Sequence, residues 1–180
     1  MSAHRSPRWP AAVPLTTPRL TLEPLRVDHA REAVSVFADV RLHTWTGGTP
    51  SSLAQLEARY GRQSAGRSPD GRQGWLNWML RRNADGQLIG TVQATLYRTA
   101  AGAASEASVA WVVGTDYQNE GYAREGALAM ASWLRAQGVT EVAANIRPGH
   151  GASTAVARAL GLKASAQVVE GEVRWSDSGT

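Results

Sequence analysis

The chain contains no cysteine among its 180 residues. This absence excludes a disulfide framework, thiolate zinc sites, iron–sulfur clusters and a cysteine nucleophile. The four histidines are scattered, so we expect no metal ion. No stretch approaches the roughly 20 apolar residues of a membrane span, and residues 1–17 contain no apolar run of the length found in a secretory signal. We therefore expect a cytoplasmic protein with no membrane partner.

Lysine is almost absent, because Lys163 is the only one among 19 basic residues, which face 15 acidic ones. The basic residues stand singly apart from Arg81 and Arg82, and no block of like charge is typical of a nucleic-acid arm. Arginine binds phosphate through paired N–H groups, so the composition is compatible with a phosphate-bearing ligand. We expect no nucleic-acid partner. RNA or ribosome binding through the arginine excess is kept as a weaker alternative.

Apolar residues are plentiful, since 43% of the chain is hydrophobic and seven residues are Trp. This amount is enough for a core, and the length fits one globular domain. Residues 1–17 contain Pro7, Pro10 and Pro14 and no periodic pattern. We predict a flexible leader over residues 1–17 and a single domain over residues 18–180.

Hydrophobic periodicity predicts strands over residues 19–25, 75–81, 88–98, 107–113, 142–146, 166–169 and 172–175. It predicts helices that begin after Asp28 and after Ser51 or Ser52, and two more over residues 123–137 and 152–160. A hairpin turn at residues 83–86 makes the first half antiparallel, and the later alternation of strands and helices is typical of parallel strands. The predicted fold class is mixed α/β, a partly parallel central sheet of about seven strands flanked by about four helices.

Residues 118–124, with the sequence Gln-Asn-Glu-Gly-Tyr-Ala-Arg, lie between a predicted buried strand and a helix N-terminus. Unpaired N–H groups collect at such a junction and bind anions, and Gly121 lets the main chain approach a phosphate closely. The alternative is that Gly121 merely permits a tight turn. The sequence contains neither a P-loop nor a GxGxxG dinucleotide motif.

Several spaced motifs together resemble those of a known family. They are Trp111 to Val113, then Gln118-x-x-Gly121-x-Ala123, a strand that ends near Asn145, Ala152-Ser153, and Leu160-Gly161-Leu162. This pattern, over residues 18–175, resembles the GNAT superfamily of acyl-CoA-dependent N-acyltransferases, and within it the RimJ/RimL-like branch. The resemblance implies that fold, with acetyl-CoA or another short acyl-CoA as co-substrate and no metal.

The resemblance also implies a coenzyme A site built largely from main chain. The amides of residues 118–124 would bind the pyrophosphate, the preceding strand would pair with the pantetheine arm, and an N–H near Val112 or Val113 would polarise the thioester carbonyl. The alternative is that this strand is only core. The expected cofactor-binding residues are Trp111, Val112, Val113, Gln118, Asn119, Glu120, Gly121, Tyr122, Ala123, Arg124, Asn145, His150 and Ser153.

The sequence departs from the family where catalysis is concerned. Ala157 stands where many members carry a Tyr that protonates the leaving thiolate. Ser153 matches a Ser of the RimJ/RimL-like branch and is our candidate for that task, with a helix N-cap as the alternative. His150 replaces an Asn of the pattern and either takes over part of its role or is a loop residue.

Glu106 is the candidate general base, although the family spacing falls on Ala107, and strand alternation would then turn Glu106 to the other face. Glu172 is a second carboxylate to consider.

Acceptor binding is expected at Trp45, Trp75 and Asn77. Trp75 and Trp78, three residues apart, face opposite sides of a strand, so at most one lines a cleft. The expected acceptor is a small-molecule or peptide amine, and a homodimer is possible. The predicted function is an acetyl-CoA-dependent N-acetyltransferase that acts by direct attack in a ternary complex. The alternative, suggested by Ala157 and His150, is a catalytically degenerate acyl-CoA-binding or regulatory module.

Overall fold

The computed structural model describes residues 8–98, 102 and 104–178. Its strands are β1 (Leu15–Thr16), β2 (Leu20–Pro24), β3 (Gly74–Arg82), β4 (Leu88–Arg98), β5 (Ala104–Val113), β6 (Glu141–Ile146), β7 (Lys163–Val169) and β8 (Glu172–Ser176). Its α-helices are α1 (Ala30–Val36), α2 (Val40–Thr46), α3 (Leu53–Gln63), α4 (Tyr122–Ala136) and α5 (Gly151–Ala159). Among these residues, no helix combines the length and the apolar character needed to cross a bilayer.

All eight strands form one mixed sheet in the order β1-β2-β3-β4-β5-β6-β8-β7. Strands β1 to β5 form an antiparallel meander, and β6, β8 and β7 form a second antiparallel unit. The two units meet in one short parallel ladder, in which Glu106, Ala107 and Ser108 pair with Glu141, Val142 and Ala143. The predicted mixed, partly parallel fold class is therefore confirmed, with eight strands and five helices in the described part of the chain.

Helices α4 and α5 cover one face of the sheet, and α1 and α3 cover the other. Leu76, Trp78 and Leu80 of β3 face α4, because they alternate with residues that face α1 and α3. Gly126 lets α4 approach closely, since a Cβ there would lie 2.9 Å from Leu80 Cδ2. Burying each such Leu contributes about 1.5–3 kcal/mol, so the contact of α4 with the sheet is a large part of the stability.

Two elements were not predicted. Helix α2 carries a single buried residue, Leu42, while Val40 is 68% exposed, so it shows no amphipathic pattern. Strand β1 has only two residues. The predicted cap Ser52 is confirmed, because its hydroxyl accepts the Gln55 amide N–H. The prediction that Asp28 caps a helix was wrong, since Asp28 lies inside a short 3-10 turn, Val27–His29.

Part of the predicted leader packs on the sheet, while residues 1–7 lie outside the described residues. The Trp78 indole N–H donates to the Val13 carbonyl over 2.8 Å, and the Trp9 indole N–H donates to the Gly71 carbonyl over 3.0 Å. The ring of Trp9 lies directly on Gly74, where a Cβ would come within 2.7 Å of the indole. Residues 8–17 thus contact β3, through Trp9 at Gly74 and through Val13 at Trp78.

Candidate active site

Strands β5 and β6 separate after their short parallel ladder. Their pairing ends at Ser108 and Ala143, after which β6 continues with β8. Within the part of the chain that the structure describes, residues 109–113 of β5 keep β4 as a partner on one side and have no strand partner on the other. Peptide groups along such a gap can hydrogen-bond an extended ligand in place of a strand.

The loop that follows β5 presents unpaired amide groups. Gln118 closes it, because its side-chain NH₂ donates to the Val113 carbonyl over 3.0 Å. Asn119 and Gly121 have positive φ angles of 63° and 82°, which turn the chain into α4. The backbone N–H groups of residues 119–124 have no hydrogen-bond acceptor among the described residues, and the first paired amide is that of Glu125. These donors lie at the positive end of a 15-residue helix, which is the environment that binds phosphate.

The structure supports the interpretation of Gly121 as a turn residue, and the close approach of a phosphate there stays a prediction. Its φ of 82° is a left-handed conformation that favours glycine, so the turn requires it. The side chains of Tyr122 and Ala123 pack into the core, which leaves their amides as the groups available on the outside. Arg124 and Glu120 are exposed.

Arg19 contacts this loop at the N-terminal end of α4. Its Nη1 donates to the Glu120 carbonyl over 2.9 Å, its Nε donates to Glu125 over 2.7 Å, and its guanidinium lies 4.4 Å from the centre of the Tyr122 ring. The Thr17 hydroxyl also donates to Glu125, over 2.7 Å. Burial alone would raise the pKa of Glu125, but the bonds from Thr17 and Arg19 outweigh it and lower that pKa. Sequence reasoning missed this brace because Arg19 is about a hundred residues away from the loop.

A cavity of about 180 Å³ lies on the opposite face of the sheet, under α1, α2 and α3. Its floor is formed by Asn77, Thr91, Gln93 and Val112 from three neighbouring strands. Val112 therefore joins the cavity to the strand end from which the amide-rich loop emerges. Burial raises the pKa of Tyr60 in the cavity wall to about 12, so that hydroxyl stays protonated at neutral pH.

The chain was compared with known protein families. The family described as "Acetyltransferase (GNAT) domain" matches residues 19–163. The chain belongs to this GNAT family. No curated protein matches it in sequence.

Solved structures share this GNAT fold. An acetyltransferase from Agrobacterium tumefaciens is 22% identical with a TM-score of 0.68, over 96% of this chain and 98% of that one. A protein described as a ribosomal-protein-serine acetyltransferase from Vibrio cholerae is 19% identical with a TM-score of 0.68, over 91% and 96%. The aminoglycoside acetyltransferase AAC(6')-Ib, solved with coenzyme A, is 14% identical with a TM-score of 0.70, over 87% and 93%.

The start of α5 in this GNAT domain is capped by His150. Its Nδ1 accepts the Ser153 amide N–H over 3.4 Å, so the interpretation of Ser153 as the cap was wrong. His150 lies in the loop before α5, as one of its two interpretations had it, and caps the helix from there. Ser153 lies in the first turn of α5 and is half-buried, and its hydroxyl has no partner among the described residues. Burial lowers the pKa of His150, which favours the neutral ring that this cap requires. Ala157 is fully buried in the core.

The predicted acceptor residues separate. Asn77 lines the cavity, whereas Trp45 and Trp75 do not. Trp45 stacks on His150 with ring centres 4.3 Å apart, and the Trp75 indole N–H donates to Gln73 over 3.2 Å. Asn145 is exposed on β6, opposite Arg174 of β8.

Glu106 lies at the paired start of β5. It accepts a hydrogen bond of 2.9 Å from Arg174, which also binds Glu141 over 3.0 Å. Six residues of strand separate it from Val112, which is about 20 Å at the usual rise. The structure therefore does not bring Glu106 to the cavity. Glu172 also lies apart from it, 3.9 Å from Arg147.

Proposed function

We propose that the protein is an acetyl-CoA-dependent N-acetyltransferase, which transfers an acetyl group from coenzyme A to a primary amine by direct attack in a ternary complex. The observation that carries the proposal is the run of unpaired amides at residues 119–124 beside the unpaired edge of β5. Membership of the GNAT family supports it. So do the fold neighbours solved with coenzyme A and with acetyl-CoA and AMP.

In this proposal the two substrates bind in different places. Acetyl-CoA binds at the amide-rich loop and the gap beside β5, and the amine binds in the cavity. The pyrophosphate of acetyl-CoA binds the amides of residues 119–124, and its pantetheine arm lies in the gap along residues 109–113. Trp111, Asn145 and His150 flank the gap. The amine enters from the cavity beneath α1 and α3 and meets the thioester beside Val112.

The chemistry then needs few side chains. The amine nitrogen bonds to the thioester carbon, the C–S bond breaks, and a main-chain N–H near Val112 or Val113 stabilises the oxyanion. Ser153, whose hydroxyl has no partner among the described residues, passes its proton to the departing thiolate and regains one through solvent, as the nitrogen loses its second proton on forming the amide. Among the described residues no Asp or Glu lines the cavity, so the ammonium proton passes to solvent before attack. Ser153 also supports placement in the RimJ/RimL-like branch.

A second candidate function rests on Ala157. Ala157 has no hydroxyl, and it stands where the resemblance implies a Tyr that protonates the leaving thiolate. It is also completely buried. The missing acid favours an acyl-CoA-binding or regulatory module without turnover. Release of free thiol from acetyl-CoA in the presence of an amine separates the two functions.

The decisive experiment is a calorimetric titration with acetyl-CoA, free coenzyme A and NAD as the unrelated dinucleotide. We expect both coenzyme A species to bind and NAD not to bind. The next measurement is the release of free thiol from acetyl-CoA over a panel of amines. Absence of any coenzyme A binding would overturn both functions, and binding without thiol release would leave the regulatory module. A homodimer, a cytoplasmic location and the absence of a nucleic-acid partner stay predictions.

A further inference from the structure

The acceptor cavity carries no negative charge. Among the described residues no Asp or Glu lines it, and its walls are apolar or neutral apart from His43 and Arg59. An acceptor with several ammonium groups would lose water there without gaining a carboxylate partner, which is unfavourable. The lining thus disfavours polyamines and other polycations.

The cavity is also small. Its volume of about 180 Å³ is close to that of an engineered cavity of about 150 Å³ that holds benzene, and below the roughly 300–1,000 Å³ of sites for drug-sized ligands. Leu25, Val34, Phe37 and Leu56 give it an apolar wall. One ring or one short aliphatic chain fills such a space.

Arg59 is the cation available to a ligand. Helix α3 presents Leu56, Arg59, Tyr60 and Gln63 to the cavity, at the spacing of one helical face. Arg59 is exposed, its Nη2 donates to the Ser51 hydroxyl over 2.7 Å, and no carboxylate of the described chain pairs with it. Most of its five N–H donors therefore stay open.

His43 is not available in the same way. Its two ring nitrogens face main-chain carbonyls, that of Gly47 at 3.2 Å and that of Phe37 at 3.3 Å. Its ring thus holds the end of α2 in place, and Arg59 is left as the charged group for recognition.

We propose that the acceptor is a primary amine that carries a carboxylate at the far end of an apolar body. The inference rests on the proposed function, because it takes Val112 as the place of acetyl transfer. The amine lies on the sheet floor beside Asn77 and Val112, and the carboxylate binds Arg59 and Ser51 at the mouth formed by α3. Guanidinium groups bind carboxylates through two parallel N–H donors, which gives both affinity and direction.

A matched ligand series tests the charge. The full-length protein is titrated with ω-aminohexanoate, its primary amide, hexylamine and hexanediamine, and with (aminomethyl)benzoate against benzylamine as the rigid pair. We expect at least one carboxylate to bind about tenfold more tightly than its partner that lacks the carboxylate, and the diamine to bind worst. Equal affinities within both sets, or no binding of either carboxylate, would overturn the proposal.

Variants on α3 assign the preference to one residue. In Arg59→Gln the preference for the carboxylate disappears while the affinity for hexylamine is unchanged, and Arg59→Lys keeps part of it. Arg62→Gln is the matched control, because Arg62 is exposed on the same helix and does not line the cavity. A preference that survives in Arg59→Gln, or that falls equally in Arg62→Gln, would refute the role of Arg59.

A separate titration with coenzyme A keeps this inference distinct from the proposed function. If coenzyme A binds and no carboxylate preference exists, the acceptor class is wrong and the acetyltransferase proposal stands. If the carboxylate preference exists and coenzyme A does not bind, the cavity is a ligand site and the acetyltransferase proposal fails.

Discussion

The two candidate substrate sites of this domain are built from different parts of the chain. The amide-rich loop is one contiguous segment, residues 119–124, and it offers main-chain donors whose positions are set by the left-handed turn at Gly121. The cavity is assembled from side chains of three helices and three strands that lie far apart in sequence. A main-chain site tolerates changes of side chain but not of backbone, and a side-chain site does the reverse. Changes in the loop should therefore affect coenzyme A binding, and changes in the cavity lining should affect acceptor binding.

The largest effect is expected at the loop. Gly121→Asp places a negative charge beside the phosphate, so we expect the affinity for coenzyme A to fall by about a hundredfold or more. Calorimetry measures it. Gly121→Asn is the control, because Asn tolerates positive φ and adds no charge. If Gly121→Asp binds coenzyme A as the native chain does, the loop is not the phosphate site.

Ser153→Ala tests the leaving-group role on the first turns of α5. We expect kcat to fall by about a hundredfold with little change in the affinity for acetyl-CoA, since proton transfer acts in the transition state. The thermal midpoint should stay unchanged, because His150 caps the helix through the Ser153 amide and not through its hydroxyl. Thr154→Ala is the matched control, since the Thr154 hydroxyl donates to the Gly151 carbonyl. Equal losses in both variants would contradict the role.

Arg19→Ala tests whether the contacts that hold the loop affect coenzyme A binding alone. The brace to Glu120 and Glu125 holds the loop, so its loss should weaken coenzyme A binding by about tenfold while the KM for the acceptor is unchanged. Steady-state kinetics in both substrates measures it. Arg26→Ala is the control, because the Arg26 guanidinium forms an exposed ion pair with Asp28. An effect on the acceptor alone would show that Arg19 does not act through the loop.

Sequence patterns point to the loop more readily than to the cavity for a physical reason. Residues 118–124 stand out in the sequence because the candidate donors and the Gly that exposes them lie within one short segment between strand and helix. The cavity depends on which distant residues the topology brings together, and no local spacing encodes that. Trp45 illustrates this limit. It lies on α2, which has no amphipathic pattern, and the Trp45 ring contacts His150, about a hundred residues away in the sequence. Likewise the periodicity predicted the order of the major elements and not the loss of pairing after Ser108.

The smallest effect expected concerns the cap of α5. The pKa of His150 is lowered in the folded chain by burial, while in the unfolded chain it lies near its ordinary value of 6.5. The unfolded chain therefore binds the proton more readily as the pH falls below about 6.5, and the stability that the neutral ring contributes above that pH is lost there. A protonated Nδ1 also cannot accept the Ser153 amide N–H, so the cap opens.

We expect the thermal midpoint to fall by an amount on the order of 1 °C between about pH 7 and 5 because of this residue. The effect is read as the difference between the native chain and His150→Asn, since Asn caps helices without titrating in this range and the carboxylates common to both chains cancel. Identical pH profiles in the two proteins would show that the cap does not depend on the neutral ring.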